Sequence, residues 1–192
     1  MTTPVFDPAN SLTDHFLIAM PALRDPFFAR SVVYLVQHNE NGAFGIIVNK
    51  PIKMSISEVL DQLGIDDERP ANAPQDVLYG GPVEKEKGFV LHDAEPQWPS
   101  SMAIRAGLTL TTSKDILQSI GHNEGPSRYL VALGCSGWNA GQLEKEIREN
   151  TWITCPATDA ILFSTSYAKK PDMAAATLGF TMAQLTSEVG YS

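Results

Sequence analysis

Apolar residues along the chain come in short runs separated by polar or Gly/Pro-rich breaks, a rhythm of strands and single helices. The run "HFLIAM" at 15–20, closed by Pro21, predicts a buried strand, and 21–30 a loop. From Ser31 the stretch "SVVYLVQH" is β-branched and aromatic; "NENG" interrupts it and "AFGIIVNKP" resumes. Asn41-Gly42 tolerates the positive φ of a tight turn, so this pattern predicts a β-hairpin from about 31 to 49, stopped by Pro51.

A helix is predicted over 55–64. Ser55 and Glu58 have capping-box spacing, Ile56, Val59, Leu60 and Leu63 share a face, and Gly64 is the stop. Past a surface loop at 65–75, "DVLYGGPV" (76–83) reads as a strand ending in a Gly-Gly-Pro corner, and "GFVLH" (88–92) as a second strand after four charged residues. "EPQWPSS" is irregular, and "LTLTT" (108–112) is a strand leading to a helix over about 113–121, with Ser113 as N-cap and Gly121 as stop. "RYLVALG" (128–134) predicts a buried strand, and 140–149 an amphipathic helix with Ala140, Leu143 and Ile147 on one face. "TWITC" and "AILFST" are expected to be strands and 171–189 to hold one or two helices. Residues 1–13, broken by Pro4 and Pro8, are expected to form a loosely held arm or short helix. Hairpins and single helices without regular βαβ alternation give an α+β class. A length of 192 residues with no repeat or linker gives one domain.

Charge narrows the partners. Twenty-two acidic against fourteen basic residues leave a net charge of −8, which opposes direct nucleic-acid binding, and the longest basic cluster is only Lys169-Lys170. No stretch approaches eighteen apolar residues, and the first thirty lack a basic region followed by a long apolar core, so a cytosolic protein without membrane association is expected. Cys135 and Cys155 are too few for a disulfide framework and are expected to be thiols.

The candidate chemistry centres on "ALGCSGWNAGQLEKEIR" (132–148), where glycines bracket Cys135 and Ser136 ahead of the predicted helix. A nucleophile elbow centred on Ser136 would need glycine where Trp138 stands, and one centred on Cys135 lacks its first glycine. A helix N-terminus could still lower the Cys135 pKa. The base for such an enzyme would be His15, His38, His92 or His122, all distant in sequence. The glycine-rich stretch is neither a Walker A loop nor G-x-G-x-x-G, although backbone N–H groups before a helix could hold an anion. The histidines and cysteines show no close ligand pair, and His92-Asp93 would face opposite ways; no metal and no cofactor are expected. Glu144 and Glu146 diverge on a helix, and Glu144 with Arg148 reads as an exposed i,i+4 ion pair on a solvated face. In "YGGPV" the two glycines permit close approach by another segment or a ligand. Asn49 is suited to cap a loop or line a pocket.

Three of these segments together resemble the AlgH (YqgE-like) family of bacterial proteins. They are "LIAMPALRDPFFARSVVYLVQHNENGAFGIIVNKP" (17–51), "YGGPVEKEKGFVLH" (79–92) and "ALGCSGWNAGQLEKEIRENTW" (132–152), in family order and spacing. The resemblance implies a compact α+β fold with a mixed, partly barrel-like sheet flanked by helices. It implies no established activity. Many members carry an aromatic residue where this chain has Cys135, so thiol chemistry is not a common property of the family. One member's name links it to alginate production, whence the description of members as transcriptional regulators. No helix-turn-helix is evident here, and an indirect regulatory role fits the acidic balance better.

The expectation is therefore a non-enzymatic module that binds a small ligand or a protein partner. The candidate surface combines Asp25, Arg30, Asn49, Gly80, Gly81, Trp138 and Gln142. The alternatives are a thiol-dependent or anion-substrate enzyme centred on Cys135 and a DNA-binding regulator.

Overall fold

A computed structural model describes residues 6–187. Its strands are β1 (His15–Ala19), β2 (Val32–Asn39), β3 (Gly42–Ile47), β4 (Pro51–Ser55), β5 (Asp76–Tyr79), β6 (Val83–His92), β7 (Ser101–Arg105), β8 (Leu108–Thr111), β9 (Tyr129–Asn139) and β10 (Trp152–Pro156). The helices are α1 (Ile56–Gln62), α2 (Lys114–Gly121), α3 (Gln142–Arg148), α4 (Lys170–Ala176) and α5 (Met182–Ser187). Among the described residues no helix is long and apolar enough to cross a membrane.

The strands form one mixed sheet in the order β10-β1-β2-β3-β9-β6-β8-β7, with β5 beside β9 and β4 beside β5. Strand β9 is its spine. One edge pairs with β6; the other pairs in parallel with β5 through Val131–Leu133 and antiparallel with β3 through Ser136–Asn139. Side chains alternate across the sheet, as the pleat demands. Phe16 and Ile18 join an interior cluster with Tyr34, Leu91 and Leu110, whereas Leu17 and Ala19 join an outer cluster with Trp138, Leu143 and Trp152. A second outer cluster packs Ile56, Leu60, Ile116 and Ile120 of α1 and α2 against Val77, Val90 and Val131. With both faces covered, the central strands are continuous apolar runs, which is why the sequence exposes them so clearly.

The sheet curls into a half-barrel whose end strands are joined by side chains. Arg105 of β7 pairs with Asp14, just ahead of β1, at 2.9 Å, and also with Asp159, just past β10. Arg128 reaches the other oxygen of Asp159 at 3.2 Å and Asp93 at 3.1 Å, and the buried Tyr34 hydroxyl donates to Asp14 at 2.9 Å. Ile161 and Leu162 of a π-helical turn, with Ala174 and Ala175 of α4, enter the interior cluster.

The α+β class, the hairpin and the capped helix at 55 follow the sequence expectation. Ser55 and Glu58 form the reciprocal capping box, and Gly64 follows the helix at φ +70°. Ser113 stands at the cap of α2 without a side-chain capping bond, and Gly121 is the last helical residue. Residues 1–5 of the expected arm, and 188–189 of the expected C-terminal helices, lie outside the described residues. From Phe6 onward the arm forms one 3₁₀ turn, Pro8–Asn10, after which Leu12 donates its N–H to His38 Nδ1 at 2.9 Å and Ser11 Oγ donates to the His38 carbonyl at 2.9 Å.

Four expectations are corrected. "AILFST" is not a strand: Ala160–Ser164 is the π-helical turn, and burying the adjacent residues Ile161 and Leu162 together suits a helical turn better than a two-sided strand. The charged residues 84–87 are not a connector but part of β6. Val83 pairs with Cys135 and Gly88 with Leu133, so the Glu84–Lys87 stretch bulges from the ladder. Strand β7 was not predicted, because "SMAIR" is a short edge with exposed Met102 and Ala103. Finally, β9 runs on through Cys135, Ser136 and Trp138, and the corner before α3 falls at Ala140-Gly141, with Gly141 at φ +75°.

Candidate functional site

The turn between β1 and β2 is built by its own backbone. Asp25 Oδ1 accepts the N–H groups of Phe27 at 2.8 Å and Phe28 at 3.0 Å, and the Ala29 N–H reaches the Asp25 carbonyl at 2.9 Å. Asn49, just past β3, closes the other end: its Oδ1 accepts from Val32 N–H at 2.8 Å and its Nδ2 donates to the Arg30 carbonyl at 3.0 Å. That bracket holds Arg30 at φ +61°, a left-handed conformation that a non-glycine residue adopts at an energetic cost. Lys50 Nζ donates to the Phe27 carbonyl at 2.8 Å, and burial pushes its pKa down, against the upward pull of Asp25. The Arg30 guanidinium makes no hydrogen bond or ion pair among the described residues, and the buried Ser31 hydroxyl that follows it has no hydrogen-bond partner there either.

Behind the turn lies a second cluster. Trp138 and Trp152 each send an indole N–H to Glu146 Oε2 at 2.8 Å, and Gln142 Nε2 donates to Glu146 Oε1 at 3.0 Å. Gln142 Oε1 accepts from Asn139 N–H at 3.0 Å, which ties α3 to the end of β9. The ring of Phe28 packs against both indoles, with centroids 6.1 Å from Trp138 and 5.6 Å from Trp152, which are themselves 6.0 Å apart. Phe27 stacks on Tyr79 at 6.4 Å. The solvated face holds for Lys145, Arg148 and Glu149, which are exposed, but the expected Glu144–Arg148 ion pair is corrected. Glu146 faces the tryptophans, and Glu144 accepts from His38 Nε2 at 2.6 Å instead of pairing with Arg148. Because His38 Nδ1 already accepts a backbone N–H, the proton sits on Nε2 and both ring nitrogens are spent.

Gly80 and Gly81 carry the chain across β9, from the β5 side to the β6 side. The Gly80 N–H donates to the Leu133 carbonyl at 2.8 Å, and its carbonyl accepts from Ile47 N–H at 2.9 Å and Ser136 Oγ at 3.1 Å. A Cβ on Gly80 would lie within the Gly134 carbonyl, and one on Gly81, at φ +151°, within the Cys135 carbonyl. The close approach permitted by the two glycines is made by β9.

Cys135 is a buried strand residue, not a helix N-terminal one. Its thiol lies 4.0 Å from Glu84 Oε2, and burial followed by the Glu84 charge pushes its pKa up to about 11. A lowered pKa and a nearby base were the conditions for a reactive thiol. Neither is met: His15 bonds Thr13, His38 bonds Glu144, His92 bonds Thr111, and His122 is exposed. Among the described residues no group of three His, Cys, Asp or Glu side chains is arranged to hold a metal ion.

Arg30 and Asn49 line an open cleft of about 680 Å³ between this turn and the C-terminal helices. Ala19, Pro21, Ala29 and Lys50 complete one wall; Tyr167, Pro171 and Asp172 of the α4 region and Met182 of α5 form the other. The seven sequence candidates therefore separate. Asp25, Arg30 and Asn49 form one unit, with Arg30 and Asn49 at the cleft; Trp138 and Gln142 meet at Glu146, outside the cleft lining; Gly80 and Gly81 are buried crossing points. Lys50, Glu146 and Trp152 were missed as members, although all three stand inside or beside the motifs quoted above.

These features define a half-barrel α+β protein that presents one fixed cationic turn over an apolar cleft. The chain belongs to the AlgH-like family, whose profile matches residues 16–183. It is 46% identical over 184 residues to a UPF0301 protein of Shewanella loihica, covering 95% of this chain and 100% of that protein. A UPF0301 protein of Photobacterium profundum is 45% identical over 186 residues, at 95% and 100% coverage. The solution structure of the AlgH protein from Pseudomonas aeruginosa superposes with a TM-score of 0.77 at 42% identity, over 100% of this chain and 99% of that one. An X-ray structure of a Corynebacterium diphtheriae protein shares the fold, with a TM-score of 0.71 at 18% identity and 91% coverage of each chain.

Proposed function

We propose that the protein acts by binding: a small ligand or a segment of a partner protein enters the cleft beside Arg30, and any effect on gene expression is indirect. The observation that carries this reading is the Arg30 turn, a left-handed cation held by Asn49 with its own guanidinium unspent. Energetically costly backbone conformations persist where the surroundings over-determine them, and functional sites are where they concentrate. A cleft of about 680 Å³ is of ordinary size for a ligand site. The buried, high-pKa Cys135 gives no support to a thiol enzyme, and the net charge of −8 gives none to DNA binding. Two unpaired cysteines suit a reducing compartment, and we place the protein in the cytoplasm.

Amide chemical shifts recorded during a fragment and peptide screen test the proposal. Hits are expected to move Ala29, Arg30, Asn49 and Ala168 together. Hits that bind saturably while leaving these amides unmoved would overturn it.

A further inference from the structure

We infer that the ligand of this cleft is a monocarboxylate with an apolar body. The inference rests on the binding reading above and adds the chemistry of the occupant.

The cleft offers one guanidinium without a partner among the described residues. Lys50 contributes a second ammonium to the same wall, but it is committed to the Phe27 carbonyl at 2.8 Å. The Arg30 guanidinium has no partner among the described residues, and Asn49 holds the backbone that follows it, at the Arg30 carbonyl and the Val32 N–H. The planar fork of guanidinium N–H donors matches the two oxygens of a carboxylate. Asp172 stands on the opposite wall and is exposed, so a second negative charge on the ligand meets repulsion there. Most of the remaining wall is apolar, through Ala19, Pro21, Ala29, Pro171 and Met182. An unpartnered guanidinium, an opposed carboxylate and largely apolar walls together select a single acidic head on a hydrocarbon body, and disfavour nucleotides and other polyanions.

Octanoate, 1-octanol and octyl phosphate serve as probes, titrated into the isotope-labelled full chain and into Arg30→Gln. Arg30 is exposed and its backbone bonds do not involve the side chain, so the variant is expected to keep the native spectrum. Octanoate is expected to saturate with shifts at Ala29, Arg30 and Ala168. Octanol and octyl phosphate are expected to bind at least about tenfold more weakly, and Arg30→Gln to weaken octanoate about tenfold while leaving octanol unchanged; a charge-assisted hydrogen bond has that order of effect. Octanol binding as tightly as octanoate would overturn the carboxylate inference and leave the cleft reading standing, and so would tighter binding of octyl phosphate. No cleft shifts from any of the three would also overturn it, while the fragment and peptide screen decides the cleft reading separately.

Discussion

The indole nitrogens of Trp138 and Trp152 converge on one oxygen, Glu146 Oε2, each at 2.8 Å. Both tryptophans are nearly fully buried, at 6% and 3% exposure, so neither N–H has water to fall back on. Removing the acceptor strands two buried donors at once. Glu146→Ala is expected to cost about 2–4 kcal/mol in chemical denaturation, and Glu146→Gln, which keeps an acceptor oxygen, clearly less. Equal losses for the two variants would show that the shared oxygen is not the source of the stability.

The crossing at Gly80-Gly81 makes a sharper demand. In Gly81→Ala the new methyl collides with the Cys135 carbonyl, a backbone atom held in the β6–β9 ladder. Loss of at least about 3 kcal/mol, or failure to fold, is expected. Gly137→Ala, whose added Cβ meets nothing within 4 Å, is the control and should stay within about 1 kcal/mol of the parent. Thermal melts of the two variants side by side check this.

Lys170 sets a pH dependence. It is buried, with Nζ donating to the Leu162 carbonyl at 2.7 Å, and burial lowers its pKa to about 8 from the ordinary 10.5. The unfolded chain therefore holds this proton more tightly than the native one. The resulting destabilisation is fully present below about pH 8 and is relieved as pH rises toward 10.5. Relative to Lys170→Met, which has nothing to titrate, the parent should gain up to about 3 kcal/mol across that window. Denaturation midpoints at pH 7.5, 9 and 10 provide the comparison, and a constant difference between the two proteins would exclude the effect.

Both thiols should be silent in the native protein. Burial raises the pKa of Cys155 as well as that of Cys135. With a thiol-specific chromogenic reagent at neutral pH, negligible release is expected until denaturant is added, when both cysteines react. Rapid stoichiometric labelling of Cys135 in the folded chain would reinstate it as a reactive group.

The hairpin at 31–49 and the helix at 55 were readable because their signals are local: a turn dipeptide, a capping box, an uninterrupted β-branched run. What could not be read depends on partners far along the chain. A five-residue apolar run such as "AILFS" fits a strand or a helical turn equally, and only its neighbours in the half-barrel decide. The extent of β9 was hidden because glycine at 134, at φ +77°, looks like a terminator yet serves the crossing with Gly81. At the site, Asp25, Arg30 and Asn49 were found as motif positions. The role of Glu146 is not legible from its helix, because its partners are Trp138, eight residues back, and Trp152, six residues ahead.

The joint formed by Arg105, Asp14 and Asp159 gives the molecule a seam unlike its other strand contacts. A hydrogen-bonded ladder parts only by unpairing residues in sequence, whereas a cluster of partly exposed charges can separate as a unit and be weakened by dissolved salt. Dissolved salt therefore weakens this closure, while the strand ladders on either side of it do not depend on charge.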